Sequence, residues 1–302
     1  SEMCIRDRVS TFGRNAISRL AMLPDVSYFF SEGGSVVAFM LAGRTAVALG
    51  DPIGPEADVQ ETIAGFAEHC QRNDWLPAFY QATEGYLDSY ERAGFDAMVV
   101  GREAVVDVGD FDLHEEEDGA LRDVARLIRR GYRATCNMPP HAPELLEELR
   151  LINDEWLTIM RGESQGLLLS HFDEAHVAQS PVMVTETPRK LISAYVTLIM
   201  DPAGESLAID VLRHRPQIRE GTLEMLIVAL IQWAQRHNFQ TVNLGAGFPE
   251  LQLDAASNGR ARAALEDDGD GQVSERLQAV RVRFKPRWRP RYLVYPGATS
   301  LP

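Results

Sequence analysis

Cysteine is scarce in this chain. Only three occur in 302 residues, Cys4, Cys70 and Cys136, far apart, odd in number and without a CxxC pair. Neither a disulfide framework nor a zinc ribbon is supported, and a reducing, cytoplasmic compartment is expected. Long apolar runs are missing too. The longest, Leu223 to Ala234 and Val36 to Ala42, fall well short of the ~20 residues that cross a bilayer, so the chain reads as soluble. Cations are outnumbered: 30 Lys and Arg stand against 44 Asp and Glu, for a formal net charge of −14. Such a surface repels phosphate backbones on average, which excludes a general nucleic-acid binder and duplex DNA as a partner.

Several catalytic signatures are absent as well. The chain has no P-loop, GxSxG elbow or HExxH, and Gly245-Ala246-Gly247 lacks the third glycine of a dinucleotide fingerprint. The acidic run Glu266-Asp267-Asp268-Gly269-Asp270-Gly271 invites a calcium-loop reading. With Gly269 at the glycine position, Glu275 falls at the twelfth position but Ala264 falls at the first. A solvated acidic loop is the better reading, and neither metal nor cofactor is expected.

What remains is an ordinary globular composition, 45% hydrophobic and 25% charged. The length calls for two domains, since one core rarely serves more than ~250–300 residues. Ser1 to Arg8 (SEMCIRDR) shows no signal-peptide character and no periodicity, and reads as a translated adaptor leader. A natural N-terminal region, with a membrane anchor at the inner face of the cytoplasmic membrane, is left open upstream. Apolar runs flanking Gly43-Arg44 predict a hairpin over Val36–Leu49, followed by a helix over Val59–Arg72. A strand over Pro77–Gln81, a short helix ending near Gly94 and a hairpin over Ala97–Val108 follow. The acidic stretch 107–118 marks a boundary between domains 9–112 and 119–302.

The second half predicts helices over Leu121–Tyr132 and Pro143–Met160, then strands over Val182–Thr185, Leu191–Met200 and Ser206–Leu212. Leu223–Trp233 is apolar nearly all round and predicts a buried helix, with a strand over Thr241–Leu244 behind it. Each half offers strands, helices and more strands in similar order. Two related α+β units sharing an interface are expected.

Two constellations carry chemistry. The loop from His214 to Thr222 joins a strand to the buried helix, with Thr222 as its expected N-cap. A helix N-terminus beside Arg215 and Arg219 is a natural anion site. Acyl-CoA-dependent acetyltransferases of the GNAT class place their pyrophosphate cradle there, with the pattern [Q/R]xxGx[G/A]. Gly221 supplies the glycine, whereas Ile218 and Leu223 break the rest; the competing reading is an ordinary capped helix behind a basic loop.

The second is RVRFKPRWRPRY, in which Arg281, Arg283, Lys285, Arg287, Arg289 and Arg291 alternate with apolar residues. An extended chain would gather these cations on one face, a strip suited to phosphates. Pro286 and Pro290 predict an edge or polyproline-like segment. The competing reading is a strip neutralised by the protein's own acids.

These residues also carry a family resemblance. LAMLPDVSYFFSEGG, VALGDPIGP, AFYQAT, YLDSYERAGF and GREAVVDVGDF occur in order. LINDEWL, LAIDVLRH, GTLEMLIVALIQWAQ, TVNLG and RFKPRWRPRYLVYPG follow. Over residues 17 to 297 the series resembles the cytosolic catalytic domain of phosphatidylglycerol lysyltransferases, the multiple peptide resistance factors. The resemblance implies an α+β (mixed α/β) fold of two tandem GNAT-like domains packed side by side. It implies no cofactor, an aminoacyl-tRNA acceptor end as donor, and a phospholipid headgroup or other hydroxyl as acceptor. Three departures stand out: arginine replaces both lysines at Arg281 and Arg283, HEEEDGALR is acidic where a basic patch is usual, and Gly245-Ala246-Gly247 replaces a GMA run.

The resemblance further assigns Asp210 and Arg213, as the family's DxxR, to catalysis. Asp210 anchors the donor amino group and Arg213 a phosphate; an internal salt bridge is the competing reading. Residues three apart face opposite ways on a regular strand, so the chain must bend or end between them. Arg283 and Lys285 are expected to bind phosphate or carbonyl oxygen. Glu155 and Asp51 are further binding candidates, although Asp51 in GDPIG reads most simply as a turn residue. Trp156 reads as core, and His171 and His214 as incidental. An acyl-CoA-dependent N-acyltransferase and a GNAT-like binding module without turnover are the alternative functions.

Overall fold

The computed structural model describes residues 5, 8–9, 11–13, 21, 26–109, 111, 119–159, 172–201, 204–247 and 272–297. In chain order the elements are β1 (Ser27–Phe30), β2 (Val36–Ala42), β3 (Thr45–Leu49), α1 (Val59–Arg72), β4 (Leu76–Thr83), α2 (Leu87–Arg92) and β5 (Phe95–Asp107). Next come α3 (Gly119–Arg129), β6 (Arg133–Asn137), α4 (Pro143–Ile159), α5 (Glu174–Val177), β7 (Val182–Glu186), β8 (Ile192–Met200) and β9 (Ser206–His214). The chain closes with α6 (Thr222–Arg236), β10 (Thr241–Gly247), α7 (Gln272–Arg283) and β11 (Arg287–Pro296).

Two compact units divide these elements. One holds Ser1–Glu103, Asp201–Ala203 and Trp288–Pro302; the other holds Ala104–Met200 and Gly204–Arg287. The chain thus leaves the first unit within β5 and returns to it for β11. A single boundary near 112–119 does not capture this, because β11 hydrogen-bonds to β4, with Arg291 opposite Thr83. Residues 112–118, where that boundary was expected, and 264–271 of the acidic loop lie outside the described residues, as does His171. Ile5, within the expected leader, is buried with Ala21, Val36, Ala38 and Ile53.

In the first unit the strand order is β1-β2-β3-β4-β11-β5. β2 and β3 form the antiparallel hairpin expected across Gly43, and α1 carries the chain to β4, which lies parallel to β3. The helix forms where predicted because Val59, Ile63, Phe66 and Cys70 recur at helical spacing and bury one face. That face meets Phe39, Phe79, Tyr90 and Phe95. In the second unit the order is β5-β10-β9-β8-β7-β6. β6 to β9 run antiparallel, and α6 returns the chain to β10, parallel to β9. Each unit therefore repeats one topology, an antiparallel meander followed by a helix and a parallel strand.

Three expectations need correction. The hairpin over Ala97–Val108 is one strand of 13 residues, β5, since Gly101 takes no turn conformation and is buried within the strand. Arg281–Tyr295 is not extended throughout. Its first residues finish α7, Lys285 ends the turn at φ 46°, and only Arg287 onward is strand. Nor is that strand an edge: β11 lies between β4 and β5. Its pairing with β4 begins at Arg291↔Thr83, beyond Pro290, so the missing proline N–H interrupts no bond of that ladder. β1 and β6, short and weakly patterned, were not anticipated.

Among the described residues, no helix is long and apolar enough to cross a membrane.

Candidate functional site

The bend required between Asp210 and Arg213 exists, and it is a β-bulge. On β8, Thr197 stands opposite Val211 and Leu198 opposite Ile209, leaving Asp210 as the extra residue of β9. The bulge changes the alternation of side chains. Arg213 stands opposite Tyr195, which packs with Val211 into the core under α4. Asp210 reaches the Thr197 hydroxyl, which donates to Oδ2 at 3.1 Å, on the face that carries Tyr195. A buried carboxylate and a buried guanidinium thus share one face.

Helices α4 and α5 supply the rest. Arg213 is 6% exposed, its Nε donates to Asn153 Oδ1 at 3.1 Å, and its Cζ lies 3.9 Å from the centre of the Trp156 ring. This is a desolvated cation–π contact. Asn153 and Trp156 are three residues apart on α4 and therefore project from one side. Trp156 is core, as expected, and touches the site as well. From α5, His176 Nε2 lies 3.2 Å from Asp210 Oδ2 and 2.9 Å from Ser180 Oγ. The Ser180 hydroxyl donates to the His176 carbonyl, so the arrangement places the ring hydrogen on Nε2, donating to Asp210. Both contacts use one ring nitrogen, which differs from a serine–histidine–aspartate relay.

Two buried donors near Arg213, Trp156 Nε1 and Tyr195 Oη, have no partner among the described residues. Burial pushes the Tyr195 phenol well above its ordinary value, opposed by Arg213, so it stays protonated and able to donate. Two unspent donors beside a buried guanidinium suit a ligand that carries a carbonyl or phosphate. His176, Tyr195 and Asn153 were missed by sequence reasoning. Only the Asn153–Trp156 spacing on an otherwise apolar helix face offered a signal.

The other candidates are scattered. Arg215 and Glu155 form an ion pair, and Arg215 Nη2 also approaches Glu148 at 3.4 Å, so this guanidinium is already engaged. Arg219 is exposed. Thr222 does not cap α6: the N-cap is Gly221 at φ 86°, and Thr222 Oγ1 is buried without a partner among the described residues. A Cβ on Gly221 would lie 2.9 Å from Asp123 Cβ. The first turn of α6 is therefore buried beneath α3, with Asp123 and Glu224 beside it. The expected anion cradle is filled by protein, which also removes the pyrophosphate site of the acyl-CoA reading.

The cation strip is dispersed for the same kind of reason. Arg283 pairs with Glu224 at 2.9 Å, and Arg281 is half-buried against the Leu244 carbonyl, where desolvation lowers its pKa to about 10. Arg287 makes a forked contact with Asp107, and Arg291 is buried with Glu103. Lys285 and Arg289 are exposed. Among the described residues the neutralised reading holds for Arg283, Arg287 and Arg291, whose partners are Glu224, Asp107 and Glu103. Asp51 belongs to the first unit, accepting from the Thr83 amide, the Thr83 hydroxyl at 2.7 Å and Tyr90 Oη at 2.9 Å. Burial outweighs these bonds and raises its carboxyl pKa. It ties β3 to β4 and α2.

The family model described as phosphatidylglycerol lysyltransferase, C-terminal, matches residues 6–295. A phosphatidylglycerol lysyltransferase of Bacillus subtilis (strain 168) is 28% identical over 297 residues, covering 96% of this chain and 34% of that protein. The chain thus spans about a third of the length of the curated relatives it matches. The structure of L-PGS from Bacillus licheniformis aligns with a TM-score of 0.85 at 26% identity, covering 99% of this chain and 92% of that one. A DUF2156 C-terminal domain from Agrobacterium fabrum shares the fold, with a TM-score of 0.81 at 24% identity and coverages of 99% and 92%. The repeated topology is of the mixed α/β class. With nearly the whole chain, residues 6–295, matched by that model, the chain belongs to the phosphatidylglycerol lysyltransferase C-terminal family.

Proposed function

We propose that this chain transfers an aminoacyl group, lysyl or another, from aminoacyl-tRNA to the hydroxyl of phosphatidylglycerol or a related acceptor. The observation that carries the reading is the bulge that sets Asp210 and Arg213 on one buried face. The acceptor oxygen attacks the ester carbonyl carbon. The bond to the terminal ribose oxygen then breaks, and that oxygen takes the proton released by the acceptor. Asp210 holds the donor ammonium, oriented by the hydrogen bonds from Thr197 and His176. Arg213 offers its charge to a phosphate of the tRNA end or the lipid. Tyr195 and Trp156 lie where donors to a developing oxyanion are useful. Such positioning in a site shielded from water supplies most of what acyl transfer from an activated ester needs.

The filled cradle at Gly221 argues against the acyl-CoA alternative. Catalysis is tested with charged tRNA bearing a labelled amino acid and a lipid extract, following label into lipid. Asp210→Asn should lower kcat/KM by about 100-fold or more with the fold intact, because the carbonyl-like side chain no longer balances an ammonium ion. Full activity in that variant would sink the assignment, and label in no lipid or small acceptor would sink the function.

A further inference from the structure

One end of the second unit carries charge of the sign this chain has least of. α3 ends on Arg129 and is followed by Arg130, β6 opens on Arg133, and the β7–β8 turn holds Arg189 and Lys190. These loops adjoin. A Cβ on Gly131 would lie 3.5 Å from Cβ of Pro188, and Arg133 stands opposite Glu186 in the β6–β7 register. All five cations are exposed, and none makes an ion pair among the described residues. Ile128 and Leu191 stand among them, 57% and 56% exposed, the two most exposed large apolar side chains of the described residues. The turn that presents Leu191 is tight: Lys190 takes φ 60°, and its amide donates to the Thr187 carbonyl at 2.9 Å.

Five cations on a −14 chain attract a polyanion locally. The side chains beside them decide which one. Single-stranded RNA is gripped by aromatic rings that stack on bases, and here the protruding groups are aliphatic. Aliphatic side chains ringed by Arg and Lys match the boundary between headgroups and acyl chains of a bilayer. We infer that this end of the second unit docks on an anionic phospholipid surface. The cations hold headgroup phosphates, and Ile128 and Leu191 enter the acyl boundary. The same end receives the outgoing end of β9, where the Arg215 amide donates to the Ser193 carbonyl at 2.9 Å.

Sedimentation of the whole chain with phosphatidylcholine vesicles, with and without phosphatidylserine, tests this without drawing on the proposed acceptor. Binding is expected only with phosphatidylserine, and high salt should release it. A variant carrying Arg129→Glu, Arg130→Glu, Arg189→Glu and Lys190→Glu should partition about 100-fold more weakly. If it fails to fold, the milder Arg129→Gln with Lys190→Gln is read instead, with about a tenfold loss. Ile128→Ser with Leu191→Ser should also weaken binding, through a change that leaves charge intact. Equal binding to both vesicle types, or unchanged binding by a folded charge variant, overturns the inference. So does charge-dependent binding of a hairpin RNA without vesicle binding, which would assign the surface to RNA.

Discussion

Arg213 and His214 are adjacent and both buried, yet they face opposite chemistry. Arg213 keeps its charge because the Trp156 ring and Asn153 replace water around it. His214 has no such partner and stays neutral: Nδ1 donates to the Arg215 carbonyl at 2.8 Å, and burial, the leading cause, lowers its pKa from the ordinary 6.5. The sign of the linkage follows. Below pH 6.5 the unfolded chain takes up a proton that the folded chain refuses, so stability falls as pH drops through that value and levels off below the folded one. Urea midpoints measured between about pH 8 and 5 should decline less in His214→Phe than in the wild type. Parallel declines would show that this histidine carries no such linkage.

Among elements, the junction of α3 and α6 makes the sharpest demand on sequence. Gly221 combines φ 86° with a closest approach of 2.9 Å from an added Cβ to Asp123. A side chain there meets both backbone strain and helix α3. Gly221→Ala should cost about 2–3 kcal/mol, from left-handed strain of ~1 kcal/mol and overpacking of ~1–2 kcal/mol. Denaturant unfolding measures it, and a loss of only ~1 kcal/mol would mean that α3 moves aside freely and leaves the backbone strain alone. The β9 bulge is the second demand. One extra residue relative to β8 puts Asp210 with Arg213, because side chains alternate with period two and a shift of one exchanges faces.

For the molecule as a whole, the consequential feature is that its last strand belongs to its first unit. β11 lies between β4 and β5, buries Val294 in the aromatic core of α1, and carries Arg291 to Glu103. Removing the chain after Lys285 would leave β4 and β5 with open edges and Glu103 buried without this partner. The first unit should then lose its cooperative transition and become protease-sensitive, with aggregation through the bared strands. Retention of a wild-type melt and protease resistance would show that β11 is dispensable. Charge behaves similarly at this scale: a net −14 coexists with a cationic end because acids and bases are segregated in space.

The amino-acid sequence by itself determined the elements whose signal is local. α1 and α6 are legible because Val59, Ile63 and Phe66 repeat at helical spacing and Leu223–Ile231 is apolar all round; the β2–β3 hairpin is legible because two apolar runs flank Gly43-Arg44. Asp210 and Arg213 were named from the family resemblance, and the need for a bend between them from strand geometry. Tertiary structure alone decided what that bend is, that His176 and Trp156 meet those two residues, and that Arg215 is already paired with Glu155. It also decided that RVRFKPRWRPRY is part helix and part interior strand. Alternating cations describe a face only if the chain stays extended. Whether it does depends on hydrogen bonds to β4, some two hundred residues earlier, which no local pattern encodes.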